Sequence, residues 1–83
     1  MKVRYFAWMK RTVGVAEEEV SPPADVRTVG DLVAWLRNRS GGHAEALAEG
    51  AAFGAAVDKR TATLDAKLAG AREVAFFPPF TGG

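Results

Sequence analysis

The residues with the most chemistry to offer stand together at the end of the sequence: Glu73-Val74-Ala75-Phe76-Phe77-Pro78-Pro79-Phe80-Thr81-Gly82-Gly83. No charged side chain follows Glu73, so the run is expected to carry one charge beyond it, the carboxylate of Gly83. Pro78 and Pro79 favour an extended backbone. Glycine has no Cβ, so Gly82 and Gly83 suit a narrow channel and let another backbone come close. The expected design is one carboxylate on a thin arm. A carboxylate is a poor electrophile until a partner enzyme spends ATP to convert it to an acyl-adenylate. The Gly83 carbonyl is then open to a sulfur nucleophile, and the product is a thiocarboxylate. The chain has no cysteine, so it cannot carry sulfur as a side-chain persulfide. A sulfur-carrying role would have to use Gly83. In this reading the chain binds no cofactor of its own, and ATP is used by the activating partner.

Chemistry elsewhere is sparse. Without cysteine there are no disulfides, thiolate zinc sites or cysteine nucleophiles. His43 is the sole histidine, which excludes a three-histidine metal site, so no metal is expected. It follows Gly41-Gly42 and reads as an exposed loop or helix-start residue. That glycine pair ends a helix, whereas a phosphate loop opens one. Asp25, Asp31 and Asp65 read as cap or turn residues. Function is therefore expected on a surface or at a terminus.

The chain of 83 residues is expected to form one domain, a globule over 1–77 with an extended tail over 78–83. Lys plus Arg number 11 against 10 Asp plus Glu, a balance that argues against a nucleic-acid binder. No apolar run approaches the ~20 residues of a membrane span, and Met1 leads into Lys2-Val3-Arg4 with no signal-like core. A cytoplasmic protein that binds no membrane is the expectation.

Residues 2–9 alternate, with Val3, Tyr5, Ala7 and Met9 on one strand face and Arg4, Phe6, Trp8 and Lys10 on the other. A turn at Thr12-Val13-Gly14 and a second strand from Val13 to Val20 make a hairpin. Glu17-Glu18-Glu19 fits its solvated edge. Thr28 reads as a helix N-cap with Asp31 three residues on. Val29, Leu32, Val33 and Leu36 form the buried stripe of the main helix, which Ser40-Gly41-Gly42 closes. A short helix over 43–49, a strand over 51–57, a turn at Asp58-Lys59 and a short strand over 60–64 follow. A helical turn is expected at 65–68 and a last strand at 73–77. A hairpin, a packed helix and returning strands are an α+β arrangement.

The closing segment resembles the C-terminal signature of the small subunits of molybdopterin synthases, members of the ubiquitin-like sulfur-carrier family. Lys2-Val3-Arg4-Tyr5-Phe6-Ala7 resembles that family's first strand, and Thr28, Val29 and Leu32 its helix entry. The resemblance implies a β-grasp fold, a mixed sheet packed on one main helix with a flexible Gly-Gly tail. It implies a ubiquitin-activator-like enzyme that adenylates Gly83 and a sulfurtransferase as sulfur source. It also implies a synthase large subunit, in a heterotetramer, whose active site receives Phe80, Thr81, Gly82 and Gly83. The Gly83 thiocarboxylate would give its sulfur to cyclic pyranopterin monophosphate, building the dithiolene of molybdopterin. The chain would be no enzyme on its own. Arg60 and Thr61 depart from the more apolar interface strand of the family.

Phe6, Trp8 and Phe77 alternate away from the expected core, and with Lys10 and Pro78 they form the expected partner surface. Three other roles fit the same tail: a carrier for thiazole, cysteine or tRNA thiolation, a ubiquitin-like modifier joined to targets through Gly83, and an interaction module with an inert end. The Phe-Phe-Pro-Pro run favours the first-named pathway over thiazole formation.

Overall fold

The computed structural model describes residues 1–79. The tail residues Phe80, Thr81, Gly82 and Gly83 lie outside the described residues. The chain runs through β1 (Lys2–Tyr5), α1 (Trp8–Val13), β2 (Glu17–Glu19), α2 (Val29–Leu36), α3 (Gly41–Ala46), β3 (Gly54–Val57), β4 (Arg60–Ala62) and β5 (Glu73–Phe77). One mixed sheet of five strands has the order β2-β1-β5-β3-β4. β5 is central, parallel to β1 and antiparallel to β3. The last strand thus returns to the middle of the sheet, and the α+β, ubiquitin-like β-grasp architecture expected from the sequence is the one observed.

The core follows from alternation and helical spacing. Val3 and Tyr5 on β1, Val74 and Phe76 on β5, and Ala55 on β3 are buried on one sheet face. Val29, Leu32, Val33 and Leu36 of α2 are buried as well and join them in one hydrophobic cluster. The Tyr5 and Phe76 rings stack at 6.2 Å between centroids, and Phe53 meets Phe76 edge-on at 5.9 Å. The start of α2 is set as its sequence predicts. The Thr28 hydroxyl accepts from the Asp31 N–H at 3.1 Å, and the Asp31 carboxylate accepts from the Thr28 N–H at 3.2 Å. The Asp31 carboxyl titrates below its usual range, chiefly because the Arg27 N–H also donates to it, then because of Thr28.

Several expectations need correction. The alternation of residues 2–9 breaks after Tyr5. Ala7 turns the chain at φ 54°, and Trp8 to Val13 form α1, with Gly14 at φ 104° as its left-handed C-cap. The expected hairpin turn is therefore a helix end. The second strand shrinks to Glu17–Glu19. Ser40-Gly41-Gly42 opens α3 instead of closing α2: the Ser40 hydroxyl accepts from the His43 N–H. The helical turn expected at 65–68 is a non-helical turn, followed by a Thr28–Lys67 bridge. The Asp58-Lys59 turn is present, with both residues at positive φ.

Candidate functional site

β5 leaves the sheet at Phe77 and leads into Pro78-Pro79, so the root of the tail lies at the centre of the sheet. Tyr5 is level with Phe76, and the Phe6 N–H donates to the Phe76 carbonyl at 3.1 Å, which carries the parallel ladder one step past β1. Phe6 and Phe77 thus mark the same end of two adjacent strands. Their neighbours Tyr5 and Phe76 fill the core, so Arg4, Ala75 and Phe77 line the opposite face. The Arg4 guanidinium lies 5.2 Å from the centroid of the Phe6 ring, which puts Phe6 on that face as well. Arg4 also meets Glu17 and Glu73, each at 3.8 Å. Such exposed pairs add little stability, but together they hold the cation over the ring. Phe6 is 41% exposed, a large value for an aromatic beside a core strand.

Of the residues expected to meet a partner, Phe6, Phe77 and Pro78 stand together at the tail root. Trp8 and Lys10 do not share their face. Both ride on α1, where Trp8 is half-buried against the core cluster and Lys10 is exposed. Strand alternation misplaced Trp8 because the chain had already turned at Ala7. Alternation also missed Gly54, which pairs with Phe77 across β3 and β5. Its signal was present, since a glycine inside a strand marks a close approach.

A second group of polar side chains was missed altogether. Glu18 pairs with Val3 and therefore turns inward, not to the solvated edge expected of all three glutamates. One of its oxygens accepts from the Tyr5 hydroxyl at 2.7 Å and from His43 Nε2 at 2.6 Å. Its other oxygen is 3.4 Å from Arg39. His43 Nδ1 sits 2.7 Å from the Ser40 hydroxyl. One proton arrangement serves every group: Nε2–H donates to Glu18, and Ser40 donates to Nδ1 while accepting the His43 amide. His43 is thus buried, in contrast to the exposed loop residue expected. Burial pushes the Tyr5 phenol well above its ordinary value, aided by the bond to Glu18 and its charge. Burial also raises the Glu18 pKa, but the bonds from His43 and Tyr5, with Arg39 beside them, outweigh it. The carboxyl is held below its usual range. The Ser40–His43–Glu18 chain has the connectivity of a catalytic triad. Its serine oxygen is already the N-cap of α3, so the group acts as a clamp between α3 and β2.

Among the described residues no group of three His, Asp or Glu could hold a metal ion, and no helix is long and apolar enough to cross a membrane. A recess of about 550 Å³, lined by Pro22, Pro23, Val26, Arg27, Lys67 and Leu68, opens beside Met1 at the start of β1. The Phe6–Phe77 face lies at the other end of that strand.

Comparison with known proteins agrees with this architecture. The model of the ThiS family matches residues 3–83. The chain is 40% identical over 83 residues to the molybdopterin synthase sulfur carrier subunit of Escherichia coli (strain K12), covering 100% of this chain and 99% of that one. The crystal structure of SAMP1 from Haloferax volcanii superimposes with a TM-score of 0.73 at 26% identity, over 100% of this chain and 98% of that one. A Pyrococcus furiosus structure assigned as molybdopterin converting factor, subunit 1, gives a TM-score of 0.73 at 29% identity over 95% of each chain.

Proposed function

The chain belongs to the ThiS family, and on that premise we propose that it is a sulfur carrier, the small subunit of a molybdopterin synthase. The observation that supports this most is the end-to-end 40% identity to a protein named as such a carrier. Gly83 is the working residue. A partner enzyme adenylates its carboxylate with ATP, and hydrosulfide, freed from a sulfurtransferase persulfide by a thiol reductant, displaces AMP to leave the thiocarboxylate. The tail, Phe80 to Gly83, enters the active site of the large subunit. There the sulfur passes to cyclic pyranopterin monophosphate. Catalysis on the pterin belongs to the large subunit. This chain supplies docking and sulfur, and it works in the cytoplasm.

The geometry supports the docking half of this reading. The tail root emerges from the central strand beside an exposed aromatic, and Phe6, Phe77 and Pro78 form the contact around it. The test is intact mass after incubation with the adenylating enzyme, ATP and a sulfur source. The expected product is heavier by the difference between one sulfur and one oxygen, and it converts the pterin once the large subunit is added. An unchanged mass in a competent system would reject the carrier role.

The likeness to the small archaeal modifier protein 1 of Haloferax volcanii favours one second reading, a modifier joined to target amines through Gly83. Higher-mass conjugates that disappear on deletion of Gly83 would support it.

A further inference from the structure

We infer that Gly54 is a positioning residue: it seats the ring of Phe77 low on the outer sheet face and so sets the surface offered to the large subunit. The inference rests on the reading of Phe77 as a partner contact. β3 and β5 are antiparallel and put Gly54 directly opposite Phe77. A Cβ built on Gly54 would lie 3.0 Å from Cδ1 and from Cζ of the Phe77 ring, and nearer still to Cε1. The ring edge occupies the space in which any other residue would carry its side chain. The backbone gives no other reason for glycine. Positive φ values occur at Gly14, Gly50 and Gly70, whereas Gly54 lies in an ordinary strand.

On the β3 side of the ring the floor is equally spare. Ala56 pairs with Ala75 on the same face, and nothing longer than a methyl rises from either. A phenyl group laid over a strand glycine covers exposed backbone and is held by it. Phe77 is also the last residue before Pro78-Pro79, so its seat lies at the point where the arm begins. A methyl at position 54 must lift or turn the ring. Aromatic anchors near the centre of an interface carry a large share of binding. A displaced ring would therefore spoil the fit without touching the fold.

The experiment is calorimetric binding of Gly54→Ala, Phe77→Ala and the double variant to the large subunit of the same organism's molybdopterin synthase, with melting temperatures as a check on folding. Alanine suits a strand better than glycine does, so Gly54→Ala should fold at least as well as the wild type. Its affinity should fall by roughly tenfold. In the Phe77→Ala background the same change should have no further effect. In NMR spectra one Gly54 Hα should be shifted upfield by the ring, and Phe77→Ala should abolish that shift. Wild-type affinity in Gly54→Ala, an equal loss in both backgrounds, or unshifted Gly54 protons would overturn the inference. Failure of the wild type itself to bind the large subunit would instead overturn the proposed function.

Discussion

Two adjacent glycines with opposite surroundings show how finely residue identity is read in a small core. A Cβ on Gly41 would meet nothing within 4 Å. A Cβ on Gly42 would collide with the Thr12 carbonyl oxygen and lie 3.2 Å from the Val13 Cα, both in the backbone of α1. α3 can therefore approach α1 only through the bare face of Gly42. Alanine in a helix is worth about 1 kcal/mol over glycine, but forcing atoms into packed space costs about 1–3 kcal/mol. The blocking group is backbone and cannot swing aside, so the clash wins at one position and is absent at the other. Gly41→Ala should leave the urea midpoint unchanged or raise it, and Gly42→Ala should lower it. Equal midpoints for the two variants would mean that α1 and α3 do not pack through this contact.

The clamp of Tyr5, Glu18, Ser40 and His43 acts at the level of elements, tying α3 to β2 and β1 across one carboxylate. Glutamine in place of Glu18 keeps the size but loses the charge, leaving partly buried donors with a weaker acceptor. Glu18→Gln should cost about 1–3 kcal/mol, measured by denaturant unfolding near neutral pH. The folded pKa of Glu18 lies below the ordinary 4.5. Its stabilisation is thus fully present above the unfolded value and is lost as pH falls through the folded one. The acid limb of the stability profile should therefore be shallower in Glu18→Gln than in the wild type, and parallel limbs would argue against the clamp. This cluster was illegible in the sequence because its members are distant along the chain, and a run of three glutamates reads as one solvated edge. By contrast, α2 was legible to its first residue, since Thr28 and Asp31 make a local capping box. β5 was legible because Val74 to Phe77 form a short apolar run that stops at two prolines. α1 was missed because Ala7 turns the chain at a positive φ that no local signal announces, and Met9 falls in the core in either reading. Alternation placed Phe6 and Phe77 on the outer face, where the sheet puts them. Gly54 needed the cross-strand register, which only the folded sheet supplies.

Across the molecule as a whole, the proposed function divides the labour at Phe77. Among the described residues the last strand pairing is Gly54 with Phe77, and the last buried core residue is Phe76. Stability is thus expected from the residues up to Phe77, and the sulfur chemistry proposed here from Gly83. Changes at the end of the chain should separate the two. On that proposal, removing Gly83 deletes the reacting carbonyl and leaves Gly82 one residue short of the large subunit's active site. Adding an alanine after Gly83 carries the carboxylate about 3.5 Å beyond its place. Misplacement of a reacting group by about 1 Å can already cost about a hundredfold in rate, so both variants should lose sulfur delivery by at least that factor. Among the described residues the core and the sheet end by Phe77, so melting temperatures should match the wild type, and affinity for the large subunit should persist through the Phe6–Phe77 face. The measurement is pterin conversion by the reconstituted synthase alongside thermal unfolding of each variant. If the extended chain delivered sulfur at the wild-type rate, the reacting group would lie elsewhere than the Gly83 carboxylate. If instead both variants lost stability along with activity, the division between globule and arm would be the part that fails.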